Sequence, residues 1–139
     1  MIKKIFITIV IGTIAYYLFG WLIFDFILGN YINLNTTQLA GFKKTEEQFS
    51  ILLLIVSCTA YACLLSFILV YLLNIKQLIK AFMIGSTVGI LVAIMTDSYW
   101  FATSHFYSNY TVMFLDILAA GISVGVLGLV IALTNKKLS

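Results

Sequence analysis

Four long apolar runs, each almost free of charged residues, decide what this chain can fold into. They cover approximately residues 5–28, 49–74, 81–103 and 111–134. The first run alone would form a helix about 36 Å long, which is enough to cross a bilayer. With 139 residues, 63% of them hydrophobic, the chain is too small to bury so much apolar surface in water. We therefore predict an all-α integral membrane protein with a single transmembrane domain over residues 1–139.

The lysines predict how the four helices cross the membrane. Two lie at the N-terminus, two between the second and third runs and two at the C-terminus, whereas the two in the first connector are balanced by two glutamates. Because lysine-rich connectors stay in the cytoplasm, we predict an up-down-up-down four-helix bundle with both termini cytoplasmic (N-in/C-in). The expected location is a bacterial cytoplasmic (inner) membrane. The tight connector 75–80 also predicts that the second and third helices are antiparallel neighbours.

The same residues argue against several other classes of protein. All the basic residues are lysines near the ends of apolar runs, which is typical of membrane anchors and not of a nucleic-acid surface. The sequence has no glycine-rich phosphate loop, nucleophile elbow or zinc signature, so we predict no enzyme activity and no cofactor. His105 has no second His or Cys at a ligand spacing, and we predict no metal site. The expected partner is the lipid bilayer.

Small residues recur every three or four positions in the third and fourth runs. They are Gly85, Gly89, Ala93, Gly121, Gly125 and Gly128. Asp97 continues the stripe on the third run, whereas Asp116 lies roughly opposite the three glycines of the fourth. Small side chains let helix backbones approach closely in lipid, so these residues predict helix packing. The packing can be internal to one bundle, or it can join the chain to a second protomer or a larger membrane complex.

Three aspartates interrupt the otherwise uncharged helices, namely Asp25, Asp97 and Asp116. With the predicted topology they share a layer about 6–9 Å below the outer membrane surface. A carboxylate within a span costs about 2.5–3.5 kcal/mol on insertion scales, so it usually faces other helices, a partner or water. The shared layer predicts a common binding site, where like-charge repulsion would leave a proton to exchange for a cation. An aspartate this near the surface can also simply reach water or cap a helix.

Polar and aromatic residues close to the aspartates in sequence are candidates for the mouth of this site. They are Tyr99, Trp100, His105, Tyr107, Asn109 and Tyr110. Amphipathic aromatic side chains of this kind settle at the level of the lipid headgroups. The third connector is therefore predicted to lie at the membrane surface, above the aspartate layer.

The arrangement of the aspartates resembles that of a known group of proteins. Asp97 and Asp116 stand on either side of a short, aromatic-rich link, and Asp25 lies near the end of the first run. With this pattern and its hydropathy, the chain is similar to small bacterial membrane proteins of four transmembrane helices that are catalogued as a domain of unknown function. The resemblance implies a fold and supplies no mechanism.

Two functions remain open from the sequence. The first is a small membrane protein that binds or transports a cation, a proton or a small solute, acting as a homo-oligomer, with Asp97 and Asp116 as the binding carboxylates. The second is a non-catalytic structural or accessory subunit, which docks through its glycine-rich helix faces onto a membrane complex while its aspartates only fix the helix register.

Overall fold

A computed structural model describes residues 2–38 and 48–138, and within them the chain is built of helices joined by short links. Two of the helices continue into a stretch of wider π-helical turns, Trp21–Ile27 after the first and Phe67–Leu72 after the third. The α-helices are α1 (Ile2–Gly20), α2 (Gly29–Asn35), α3 (Ile51–Ser66), α4 (Leu78–Thr103) and α5 (Tyr110–Lys137).

Among the described residues, four helical stretches are long and apolar enough to cross a membrane. They are Ile2–Ile27, Ile51–Leu72, Leu78–Thr103 and Tyr110–Lys137. The all-α class and the four candidate spans are thus confirmed, and they are consistent with an integral membrane protein. The ends of these stretches lie within one helical turn of the ends of the predicted runs.

The first connector contains a helix that the sequence did not predict. After the π-helical turns, where the Leu28 N–H donates to the Ile23 carbonyl at 2.9 Å, the chain forms the seven-residue helix α2. Seven residues are too few for a periodic apolar pattern to stand out. The rest of this connector, residues 39–47 with its two lysines and two glutamates, lies outside the described residues. The second long helix begins at Ile51, where the Ser50 side chain accepts a hydrogen bond from the Leu53 N–H.

Helix α5 is the centre of the fold, and α1, α3 and α4 all pack on it. The expectation that the second and third long helices are neighbours is wrong, because α4 packs chiefly on α5 and has no substantial contact with α3. Several large side chains of α3 and α5 are fully buried where these helices meet, among them Leu65, Leu127 and Ile131. A short connector therefore did not decide which helices became neighbours.

Glycines explain why α4 prefers α5. A Cβ added at Gly89 would lie 2.7 Å from the Ala120 carbonyl oxygen, and one added at Gly85 would lie 2.5 Å from the Val124 carbonyl oxygen. The other small residues that the sequence predicted to pack are also buried, and the glycines among them meet the facing helix. They are Ala93, Gly121, Gly125 and Gly128. The two backbones thus come closer than side chains would permit, which strengthens dispersion contacts in lipid.

A buried amide stabilises the end of the fold at which α5 ends. Asn135, fully buried near the end of α5, donates to the Ile75 carbonyl at 3.0 Å and lies 3.4 Å from the Asn74 side-chain oxygen. Asn74 has a φ of 45°, in the left-handed region that asparagine tolerates better than most residues. This contact joins the 73–77 turn to α5 at the end that carries Lys136 and Lys137.

Candidate functional site

The candidate site lies where α2 meets the link between α4 and α5. The Thr37 N–H donates to the Phe106 carbonyl at 2.8 Å, and the Ser108 N–H donates to the Asn35 carbonyl at 3.0 Å. The Ser108 hydroxyl adds a second bond to the same carbonyl at 2.7 Å. These bonds hold the end of α2 against the link that joins the end of α4 to the start of α5. The link itself is positioned by Asn109, whose side chain caps α5 by accepting from the Val112 N–H at 3.0 Å.

Two of the three aspartates come together there. Asp97 lies near the end of α4 with only 5% of its surface exposed, and Asp116 lies in the second turn of α5. The carboxyl of Asp97 is close enough to interact directly with that of Asp116. We call Asp97 and Asp116 the carboxyl pair. Repulsion between two like charges destabilises such a pair unless protons, hydrogen bonds or a cation compensate for it.

Tyr107 lies against the carboxyl pair and makes a hydrogen bond to it. Its side chain is 9% exposed, and its hydroxyl donates to Oδ2 of Asp116 at 3.1 Å. Burial raises the pKa of the Tyr107 phenol, and the neighbouring carboxyls of Asp116 and Asp97 raise it further. The hydroxyl therefore keeps its proton and serves as a hydrogen-bond donor to the pair.

One oxygen of Asp97 has no partner of its own. Oδ1 accepts from the Thr96 hydroxyl at 3.3 Å. Oδ2 is buried and makes no hydrogen bond of normal geometry to any group in the described part of the chain. Buried carboxyl oxygens without a partner are rare in folded proteins because their desolvation is not repaid. This oxygen marks the position where an additional proton or ligand would be most stabilised.

A cleft of about 320 Å³ gives access to the carboxyl pair. We call it the outer cleft. Its lining includes Asp25, Asn33, Tyr107 and Asp116. Asp25 is exposed and lies within the π-helical turns that follow α1. All three predicted aspartates are therefore grouped at this end of the fold, with Asp25 at the surface, Asp116 on the wall of the cleft and Asp97 behind it.

A second, larger cavity of about 470 Å³ adjoins the outer cleft. It lies between the C-terminal part of α1, with the π-helical turns that follow, and the N-terminal part of α3, and it shares Phe24 and Asp25 with the cleft. Half of its ten lining residues are aromatic, and we call it the aromatic cavity. The aromatic residues in its lining are Tyr16, Tyr17, Trp21, Phe24 and Phe49. Asp25 therefore lies at the boundary between the apolar aromatic cavity and the more polar outer cleft.

Two tyrosines lie deeper than the carboxyl pair. The rings of Tyr16 on α1 and Tyr61 on α3 pack with their centroids 5.1 Å apart. Tyr16 is within electrostatic range of Asp116, and Tyr61 is within range of Asp97. Together with Tyr107 and Asp25, these are the titratable groups that face the carboxyl pair among the described residues.

The remaining candidates are placed away from the cleft. The His105 side chain is exposed, while its backbone carbonyl accepts a hydrogen bond from the Thr37 hydroxyl. Tyr99 and Trp100 are exposed and pack edge to face, with ring centroids 6.1 Å apart. Within residues 2–38 and 48–138, no three His, Cys, Asp or Glu side chains are arranged to hold a metal ion.

Sequence reasoning did not identify several residues that line the two cavities. Phe24, Asn33 and Tyr16 gave no signal, because an aromatic side chain in an apolar run and an asparagine in a polar connector are both ordinary. The position of Phe24 follows from the π-helical turns and that of Asn33 from α2, neither of which was predicted, whereas Tyr16 lies on α1.

Comparison with models of known protein families, with curated proteins and with solved structures finds no match to this chain. The resemblance to four-helix proteins of unknown function therefore stays a prediction, and the argument for a function depends on the site itself.

Proposed function

We propose that this chain is an integral membrane protein whose carboxyl pair holds a proton that a cation displaces. The observation that carries the proposal is the buried, unpartnered Oδ2 of Asp97 beside Asp116, in a site that the outer cleft opens to the surface. The function is binding and exchange, without catalysis. Transport across the membrane would follow if the same site opened in turn to the other side.

The charge argument for a shared proton is simple. Two ionised carboxyls in direct contact, one of them almost fully buried, would repel each other and lose their hydration. A single proton between them removes one charge and supplies the missing hydrogen bond. The pair then carries about one negative charge, and a monovalent cation that replaces the proton leaves this charge unchanged.

The proposed topology is up-down-up-down, with both termini in the cytoplasm. Contacts between the helices support it: Gly128 lies against Ala81 and Ala120 against Gly89, so residue numbers rise along α5 as they fall along α4. Lysines at both termini and at Lys76 and Lys80 support a cytoplasmic location for that end. The carboxyl pair then lies toward the outer face of what we propose to be a bacterial inner membrane.

The alternative of an accessory subunit has less support. That hypothesis relied on glycine faces that are free to dock onto another protein, yet the glycines of α4 and α5 are taken up by the contact between those two helices. Gly12 likewise meets Leu127 and Ala62 within the chain. An accessory role would therefore need a different surface.

Proton release on cation binding tests the proposal. The purified full-length chain in weakly buffered detergent would receive sodium, potassium, methylammonium or tetraphenylphosphonium chloride while a pH indicator records released protons. We expect at least one of these cations to release about one proton per chain. The Asp97→Asn/Asp116→Asn double variant should release none while remaining folded by circular dichroism. If no cation in this panel releases a proton from the wild type, or if the double variant releases as much, the proposal is wrong.

A further inference from the structure

We propose that the cation is an amphipathic organic monocation, with its charged group at Asp25 and Asp116 and its apolar body in the aromatic cavity. This inference rests on the proposed function and names the class of ligand for the same site. It is drawn from the adjacency of the two cavities, both of which are lined by Phe24 and Asp25.

The aromatic cavity fits the apolar part of such a ligand. Its volume of about 470 Å³ lies within the range of about 300–1,000 Å³ that is typical of small-molecule sites. Five of its ten lining residues are aromatic, and Asp25 is the one charged residue among the ten. An inorganic ion would leave this chamber unused, whereas a ring or a branched hydrocarbon would fill it.

The aromatic walls also favour positive charge. A cation is attracted to the face of an aromatic ring, most strongly to that of tryptophan. Trp21 lies one turn before Asp25 and lines the same cavity. A cationic group near this junction can therefore interact with a carboxylate and with an aromatic face at once. A neutral lipid chain would gain the apolar contacts alone.

The charge of the carboxyl groups suits a ligand with a single positive charge. Asp116 is bonded to Tyr107 and paired with Asp97, and the pair carries about one negative charge with its shared proton and about two without it. One bound monocation therefore replaces the charge of the proton. Asp25 is exposed at the entrance of the outer cleft and is not part of the carboxyl pair, so its carboxylate can attract the cation separately. Exchange of one proton for one organic monocation conserves charge at the site.

Tryptophan fluorescence of the full-length chain can test this class of ligand. The Trp100→Phe variant leaves Trp21 as the only tryptophan, and Trp100 itself lies outside both cavities. Tetraphenylphosphonium is the probe, and tetraphenylborate, of similar shape and opposite charge, is its matched control. We expect saturable quenching by the phosphonium alone, weakened about ten-fold by Asp116→Asn, which corresponds to about 1.4 kcal/mol.

A second variant separates the apolar contacts from the charge. Tyr17→Leu removes an aromatic wall of the cavity and should weaken phosphonium binding by several-fold, while proton release by small cations persists. Phe67→Leu, at an exposed ring stacked on Tyr71, is the control and should leave binding unchanged.

The possible outcomes distinguish this inference from the proposed function. Equal quenching by both probes would show an apolar, lipid-like cavity, and the inference would be wrong. Absence of quenching would also overturn it. In either case, proton release by sodium, potassium or methylammonium would leave the proposed function standing, whereas its absence with every cation would overturn both.

Discussion

The hydroxyl of Tyr107 donates a hydrogen bond to Oδ2 of Asp116 across 3.1 Å. This bond connects the link after α4 to the second turn of α5, and it places a buried donor against the carboxyl pair. Because the acceptor belongs to a group that can carry charge, the bond is of the stronger kind. It therefore ties the stability of the fold to the chemistry of the site.

Removing this hydroxyl should destabilise the fold without changing its shape. We expect Tyr107→Phe to lower the free energy of unfolding by about 1–3 kcal/mol, since a buried acceptor loses its donor. Unfolding in mixed micelles of mild detergent and dodecyl sulfate measures the change. Tyr110→Phe is the matched control, because Tyr110 is 70% exposed and its stacking on Phe101 needs no hydroxyl. An equal loss in both variants would contradict the role assigned to Tyr107.

The contribution of Tyr107 should also disappear at alkaline pH. The pKa of its phenol is raised by burial and by the carboxyls above the ordinary value of 10.0. The native state therefore holds the proton at pH values where the unfolded chain has lost it, and the free energy of unfolding falls as pH rises above that value. The difference in stability between wild type and Tyr107→Phe should be full below about pH 9 and should shrink toward pH 11. A difference that grows over this range would contradict the assignment.

Close packing of α4 on α5 predicts a sharp contrast between two glycines. Gly89→Ala would place a methyl group 2.7 Å from a backbone oxygen of α5, whereas Gly20→Ala would meet nothing within 4 Å. We expect the first variant to be less stable by about 1–3 kcal/mol, because backbone must move to admit the methyl group. The second should be neutral or slightly stabilised, since alanine is the better helix former. Two variants of equal stability would show that the two helices are not in such close contact.

Orientation in the membrane can be measured by labelling single cysteines. In a background with Cys58→Ala and Cys63→Ala, His105→Cys lies on the link between α4 and α5, where the side chain is exposed, and Lys137→Cys lies at the end of α5. A membrane-impermeant maleimide added to intact cells should label the first at once and the second only after permeabilisation. The reverse pattern would place the carboxyl pair on the cytoplasmic side.

Much of the site was predictable because a membrane turns sequence position into depth. An apolar run must cross the bilayer, so the positions of Asp97 and Asp116 within their runs already place them at a similar level. The structure adds that they meet side by side, which depends on α4 packing directly on α5. Connector length suggested a different pair of neighbours, and the close fit of glycines on facing helices outweighed it.

Nearness in sequence was a poor guide to the lining of the site. Tyr99 follows Asp97 by two positions on a helix, and residues so spaced point to nearly opposite sides. His105 and Trp100 also project outward, while Tyr107 turns in toward Asp116. The lining from Phe24 and Asn33 depends on π-helical turns and on a seven-residue helix, which local sequence patterns do not reveal.

Infrared difference spectroscopy tests the shared proton most directly. At neutral pH the full-length chain should show the carbonyl stretch of a protonated carboxylic acid, shifted in heavy water, and the Asp97→Asn/Asp116→Asn double variant should lack it. Asp25→Asn should keep the band, because Asp25 is exposed and lies outside the pair. A wild-type spectrum without the band, or a double variant that retains it at full intensity, would contradict the claim that the pair holds a proton.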